Sequence, residues 1–408
     1  MKERGFSLVE LMIAMTLSLL LIISISSLFL NFGQAHRRLG ALSTVLDNGR
    51  HALGQIAEEA RLAGADYCNG YENLVPSGGQ TARRPLRFNL ASAAALPSWV
   101  NPPAGASAPF EADPGRLIRV HDCDANGQCN PPLPGPGEDV NEVWPPGIGN
   151  QMRLPGTDVL TVRYLRGPGV PVKQMASAQA PILLNDALQG AALEMAAPGP
   201  MLIADCARSE VFVGQVVGAS VEHGADLGNA DDSLGRSYQA RHDARLFNFA
   251  RDFVTVTWFV GLQQDLANPA LLRPTLMRMQ NGEPAQEVAI DVDRFDLRVD
   301  LQIGDGKRVD LSPGAINGNP AALPCPPDAR AVPDPTGCLW RGLATIDIAA
   351  LFASPPGTEL TGESFRYSED GDALQSYAAN QLLPTGLAAG NRLRREFSAQ
   401  VAFRNSLR

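Results

Sequence analysis

A lone carboxylate in an apolar run is the first place in this sequence where chemistry is needed. Glu10 is the only charged residue between residues 6 and 32, in the stretch FSLVELMIAMTLSLLLIISISSLFLNF. A charge well inside a transmembrane helix costs on the order of 2.5–3.5 kcal/mol, so Glu10 calls for a cationic partner. Past Phe6 the first basic residues are His36 and Arg37, roughly 40 Å along a helix that rises about 1.5 Å per residue. Cleavage between Gly5 and Phe6 would supply a nearer cation. It exposes an α-amino group one turn before Glu10, and the same amine on a neighbouring copy can pair with the carboxylate in trans.

A second group of oxygen ligands lies in residues 121–130, HDCDANGQCN. Asp122, Asp124 and Asn126 alternate ahead of Gly127, as in the first half of a calcium loop. The twelfth position of an EF-hand would fall on Leu133 instead of an acid, so the expected reading is a turn closed by Cys123 and Cys129. Six cysteines form an even set. Proximity favours Cys123 with Cys129 and Cys325 with Cys338, leaving Cys68 and Cys206 to staple the end of a stem to the body. Fifteen connectivities remain open on spacing alone. With no C-x-x-C and five scattered histidines, neither a metal site nor a cofactor is expected. The chain has no H-E-x-x-H, G-x-S-x-G, P-loop or G-x-G-x-x-G after a strand, and no catalysis is expected of it. The acidic run 368–372 reads as a solvated loop. Arg392, Arg394, Arg395, Arg404 and Arg408 read as one wet face of a terminal strand, and Trp99, Trp144 and Trp340 as packing residues.

The elements that would position these groups follow from composition and period. The chain has 408 residues, 45% of them hydrophobic, enough for a real core. Its net charge is −9, or −10 once residues 1–5 are removed, which excludes a general electrostatic grip on nucleic acid. Residues 6–32 are long enough to cross the ~30 Å hydrocarbon core of a bilayer. Lys2 and Arg4 ahead of the run favour a cytoplasmic N-terminus, with the rest of the chain exported, where disulfides persist. Beyond the span, Leu39, Leu42, Leu46, Gly49, Leu53, Ile56, Ala60 and Ala63 repeat every three or four residues. They predict a single helix over 6–63 with one narrow buried seam, stopped at Gly64. Residues 65–151 are rich in Pro, Gly, Ala and Asn and read as a loop-rich insertion with a strand at 116–120. Period-two runs of Val, Ile, Thr and aromatics then predict strands at 157–165, 201–205, 210–217, 253–260, 294–303, 342–352 and 394–403, with a hairpin over 276–290 turning at Asn281-Gly282. With no helix-length pattern between them, antiparallel pairing is expected. The fold class is α+β, a long N-terminal helix packed on an antiparallel sheet, divided as 1–5, 6–32, 33–64, 65–151 and 152–408.

Gly5-Phe6-Ser7-Leu8-Val9-Glu10 followed by an apolar helix resembles the class III signal of type IV prepilins and type II secretion pseudopilins. An ordinary secretory signal fits less well, because no small-x-small cleavage site follows the run. The resemblance implies cleavage after Gly5 by a prepilin peptidase, N-methylation of Phe6, and a Glu10 that meets the methylated amine of an adjacent subunit during assembly. Weaker likenesses lie in Asp205-Cys206 ahead of a Val-Phe-Val strand, in residues 291–299 before Gly304-Asp305-Gly306, and in residues 394–405. These resemble the large minor pilins of the PilW type. The resemblance implies an inner-membrane subunit with its body in the periplasm, and a place in the pilus fibre or tip after assembly. Its partners would be the prepilin peptidase, other minor pilins, the major pilin, the inner-membrane assembly platform and a tip adhesin. The alternatives are a type II secretion or competence pseudopilin, which shares the signal, and a membrane-tethered periplasmic binding protein or enzyme whose helix is only an anchor.

Overall fold

A computed structural model describes residues 8–64, 67, 87–92, 118–130, 153–205, 209–265, 272–281, 283–303, 307–318, 323, 339, 342–358, 364–369, 373–379, 381–382 and 391–403. The first element is α1 (Leu8–Leu62), one unbroken helix of 55 residues, about 80 Å long at ~1.5 Å per residue. Leu and Ile dominate its first half, and no proline interrupts it. It stops where expected. Gly64 adopts a left-handed φ of 73° that a side chain would resist, and its N–H donates to the Arg163 carbonyl at 2.8 Å.

The seam begins later than the sequence pattern predicts. Val45, Gly49, Ala52, Leu53, Ile56, Ala57, Ala60 and Ala63 are buried, whereas Leu39 is 65% exposed. Leu42 and Leu46 are only half-buried. Helical period alone cannot say how far along a helix its sheet extends, and here the sheet is first met near Val45. Four of the buried positions are alanine and one is glycine, which lets the helix axis approach closely. A Cβ on Gly49 would lie 2.5 Å from the Phe397 ring, and that ring already packs edge-on against Phe352 at 5.4 Å between centroids. Overpacking of this kind costs about 1–3 kcal/mol, against a gain of ~1 kcal/mol in helix propensity on leaving glycine. Gly49→Ala should therefore lose about 1 kcal/mol by denaturant unfolding and recover it in a Phe397→Leu background.

Three sheets follow. A seven-stranded sheet runs β5 (Val170–Pro171), β10 (Arg245–Asn248), β7 (Gly199–Ala204), β8 (Ser209–Val217), β9 (Ser220–His223), β6 (Ile182–Leu183), with β1 (Arg87–Asn89) beside β8. A six-stranded sheet runs β13 (Gln286–Ile290), β12 (Leu272–Gln280), β11 (Phe253–Gln264), β4 (Val159–Leu165), β2 (Ile118–Cys123), β3 (Cys129–Asn130). A four-stranded sheet runs β15 (Arg308–Leu311), β14 (Val292–Gln302), β16 (Leu343–Ala353), β19 (Arg394–Ala402). A small hairpin of β17 (Phe365–Tyr367) and β18 (Gln375–Tyr377) covers the four-stranded sheet through Phe365 and Tyr367, which pack on Ala349 and Leu351. Three short helices, α2 (Ala187–Ala191), α3 (Phe249–Asp252) and α4 (Pro313–Gly318), fill turns. The α+β class stands, with antiparallel pairing throughout except β1, which runs parallel to β8.

The six- and four-stranded sheets share one core with α1, in which Ile56 joins Val254, Trp258, Phe295 and Ile346. Asp291 is the corner between them. It is the one residue separating β13 from β14, takes a left-handed φ of 59° that Asp tolerates, and accepts from Arg273 of one sheet and Arg392 beside the other. The seven-stranded sheet has its own core around Met201, Phe212, Val221 and Leu246. It meets the six-stranded sheet where α3 passes the chain from β10 to β11, with Phe249 and Phe253 stacked at 4.8 Å.

Two sequence readings need correction. In the Pro/Gly-rich segment the strand expected at 116–120 is present as β2 (Ile118–Cys123), inside the six-stranded sheet and paired with β4, but the described parts also supply β1 and β3, where the composition predicts loop. The terminal arginines are not one wet face. Arg394 is buried and donates to Asp293 at 2.7 Å, and Arg392 donates to Asp291 at 3.0 Å. Their acidic partners lie some hundred residues earlier in the chain, so no local pattern announces the pairing. Arg404, Arg408, Trp99, Trp144 and Trp340 lie outside the described residues.

Candidate functional site: the N-terminal helix and its dock

The bare half of α1 is where the sequence places its chemistry. Every large apolar side chain from Leu8 to Phe32 is more than half exposed, and the most apolar 18 residues have a mean hydropathy of 2.5. Three of the five hydroxyls in this half turn inward on the helix. Thr16 donates to the Ile13 carbonyl at 2.9 Å, Ser24 to Leu20 and Ser27 to Ser24, each at 2.8 Å. Polar groups satisfied within the segment are what a bilayer interior demands. An apolar surface on all sides matches lipid or the helices of neighbours, not a face against its own domain. Glu10 sits in the first turn, where the positive end of the helix dipole favours a carboxylate. Gly5 and Phe6 lie outside the described residues.

The other half of the helix is clamped to the body by one carboxylate that the seam pattern does not reveal. Glu59 stands on the flank of the seam between Ile56 and Ala60. Its Oε1 accepts from Arg278 Nε at 2.9 Å and a second guanidinium nitrogen at 2.6 Å, and its Oε2 accepts from the indole N–H of buried Trp258 at 2.8 Å. Tyr164 completes the ring of donors at 3.5 Å. Burial first, and then the Glu59 charge, push its phenol up to about 12. One signal was available in the sequence. Trp258 falls in a strand too apolar to face water, and a buried indole N–H requires an acceptor.

Residues 1–26 match the prokaryotic N-terminal methylation motif. The N-terminus is thus a prepilin-like class III signal, of the kind that type IV pilins and pseudopilins carry, and the motif implies processing by a prepilin peptidase and assembly with other pilins. Pilins with this motif are structural proteins. The one long apolar helix is compatible with single-pass anchoring. Comparison with curated proteins finds no match, and none is found among solved structures.

The oxygen-rich loop is laid out as a turn. Asp124 Oδ1 accepts from the N–H groups of Asn126 at 2.9 Å and Gln128 at 2.8 Å, and the Gln128 amide above all holds its carboxyl below the usual range. Asp122 points elsewhere, accepting from Gly314 N–H in α4 at 3.0 Å. The Asn126 side-chain amide reaches Asp124 through a long 3.4 Å contact. Cys123 and Cys129 form a disulfide across the turn, and buried Arg153 sits against it, donating to Cys129 Sγ at 3.1 Å and to the Gly127 carbonyl. Among the described residues no group of three His, Cys, Asp or Glu side chains is set to hold a metal. Cys68, Cys206, Cys325 and Cys338 lie outside the described residues. Of the acidic run 368–372, Glu369 is described, and it pairs with Arg294 at 3.6 Å and accepts from Tyr377 at 3.3 Å.

Proposed function

We propose that this chain is a non-catalytic minor pilin of the PilW type, which waits in the inner membrane with its body in the periplasm and enters a type IV pilus after processing at Gly5. The observation that carries the reading is the methylation motif at residues 1–26 running directly into a helix that is bare over its first half and docked over its second. In such a subunit the apolar half exchanges lipid for the helices of neighbours, and the sheets ride outside as a body too large for a simple anchor. Glu10 sets register by pairing with the methylated Phe6 amine of another subunit. The partners on this reading are the prepilin peptidase, other minor pilins, the major pilin, the assembly platform and a tip adhesin.

The intact mass of the protein purified from cells that process other prepilins tests it. The expected species begins at Phe6 and carries one methyl group. A chain that keeps residues 1–5 in those cells would leave only a tethered β-rich body. Glu10→Ala is expected to leave membrane insertion intact and to reduce recovery in sheared fibres severalfold; recovery equal to wild type would remove the pairing role. Cys325–Cys338 and Cys68–Cys206 are proposed as further disulfides. In support of the second, Tyr67 donates to Asp243 at 2.6 Å and packs on Phe247, while β10 between them pairs with Ala204 of β7. Non-reducing peptide mapping should recover both pairs.

A further inference from the structure

Among the described residues, one sheet edge lacks the defences that close the others. β13 carries Glu287 and a register shift against β12, and β15 is four residues long with Arg308 and Asp310 tied to Asp300 and Arg298 across the ladder. β3, β5 and β6 have two residues each and β1 has three. β19 has nine residues paired to β16 without a bulge, and from Phe397 to Ala402 it reads FSAQVA, with neither charge nor proline. Proteins usually blunt such edges, because an open ladder recruits strands.

The direction of the open groups follows from the ends of the ladder. Phe403 N–H donates to the Ala344 carbonyl at 3.0 Å, and Ser354 N–H to the Leu393 carbonyl at 2.8 Å. Bonds alternate along an antiparallel pair, so the odd-numbered residues of β19 bond to β16. Glu396, Ser398, Gln400 and Ala402 therefore turn N–H and C=O outward. No backbone bond reaches these groups among the described residues.

The surroundings describe what would bind. On the α1 side of the edge, Phe397 and Ala399 are only partly buried against the core, so an added strand would set apolar side chains there. On the other side stand Ser398, Gln400 and Ala402, all exposed. At the Arg394 end the edge opens on a cavity of about 590 Å³ lined by Ser364, Arg366, Ser376, Arg395 and Glu396. Arg366 makes no ion pair among the described residues, and the Glu396 carboxylate is taken by Ser368 N–H at 2.8 Å. That end favours an incoming carboxylate.

We propose that β19 is a strand-addition site for a different protein, which contributes an extended segment of alternating apolar and polar residues ending in an acidic residue beside Arg366 and Arg395. A second copy of this chain pairing antiparallel through its own β19 does not satisfy the geometry. Antiparallel pairing of β19 with itself places a two-fold axis perpendicular to the sheet and reverses the direction of α1, which lies across it. Two such helices cannot enter one membrane, or one fibre, with the same polarity. This step uses only the single-pass helix and not the minor-pilin assignment.

The test uses the full-length chain in its own cells, with a benzophenone amino acid in place of Gln400, and in place of Glu287 on the β13 edge as a control. Expected is a discrete heteromeric adduct from position 400 alone, whose cross-linked peptide, identified by mass spectrometry, has the alternating pattern with an acidic end. Ser398→Pro removes an outward N–H while sparing the bonds to β16, so it should cut that adduct at least tenfold without shifting the thermal midpoint. Ser398→Lys provides a second variant with the same expectation. An adduct with the same chain, equal adducts from both edges, no adduct, or an adduct unchanged in both Ser398 variants would overturn the proposal. Correct processing at Gly5 with no adduct would sink the strand site and leave the pilin reading standing; the reverse result would do the opposite.

Discussion

Glu59→Ala is expected to lower stability by about 3–5 kcal/mol, because it strands the Arg278 guanidinium, whose one carboxylate partner among the described residues is removed. The Glu59 side chain is 14% exposed and that of Arg278 18%, so water compensates little. The indole N–H of Trp258, in a fully buried residue, is orphaned in the same step. For a body of this size the loss corresponds to roughly 4–7 °C in the unfolding midpoint. Glu59→Gln keeps an acceptor for Trp258 and gives up the charge pairing, so about half the loss is expected. The diagnostic result is the Glu59→Met, Arg278→Met double variant. Replacing both charges with apolar groups of similar length removes the unpaired ion, and the double variant should be more stable than Glu59→Ala. If the losses of the single variants simply add, the pair does not hold the stem to the sheet.

What was legible in the sequence was local, and what was not was pairing between distant segments. A 55-residue helix announced itself through an uninterrupted apolar run and then a three-four repeat, and its stop through Gly64. The strands expected at 253–260 and 294–303, found as β11 (Phe253–Gln264) and β14 (Val292–Gln302), were readable because β-branched and aromatic residues recur with period two over many positions. The disulfide across residues 123–129 was readable from spacing. By contrast, β1 and β3 are two or three residues long and hold their conformation only because β8 and β2 supply the hydrogen bonds. Nothing in an Arg-Phe-Asn tripeptide amid prolines marks it as a strand. Arg392 and Arg394 look like surface residues until Asp291 and Asp293 arrive beside them. Glu59 and Asp158 share this blindness: each is an ordinary acid by composition, and each acts through partners brought in by tertiary contacts. Division of the strands into three sheets was equally invisible, since it depends on single corner residues such as Asp291.

Asp158→Ala is the other large effect expected, again about 3–5 kcal/mol, and its pH dependence is the sharper test. The Asp158 carboxylate joins two sheets: Oδ1 accepts from Cys123 N–H of β2 at 3.0 Å and Oδ2 from Leu297 N–H of β14 at 2.9 Å. Its own N–H donates to the Phe295 carbonyl at 2.7 Å. Alanine leaves two buried amides without acceptors, each at a cost of about 1–3 kcal/mol. Asparagine restores one acceptor and presents an NH₂ to the other amide, so about half that loss remains. Burial pushes the Asp158 carboxyl well above the usual carboxylate range, with Asp296 and Asp122 adding to the rise against the two backbone N–H groups. An acid whose folded pKa is raised holds its proton after the unfolded chain has released one. Its contribution is therefore complete below the unfolded value of about 3.9 and is eroded as pH rises towards the folded value, by up to about 1.4 kcal/mol per pH unit. Asparagine does not titrate. The stability gap between wild type and Asp158→Asn should accordingly be widest near about pH 4 and shrink towards neutrality, as read from urea midpoints across that range. A gap that instead widens with pH would mean that the carboxylate is ionised and favoured in the folded protein, with nearby Arg153 outweighing burial and both neighbouring acids.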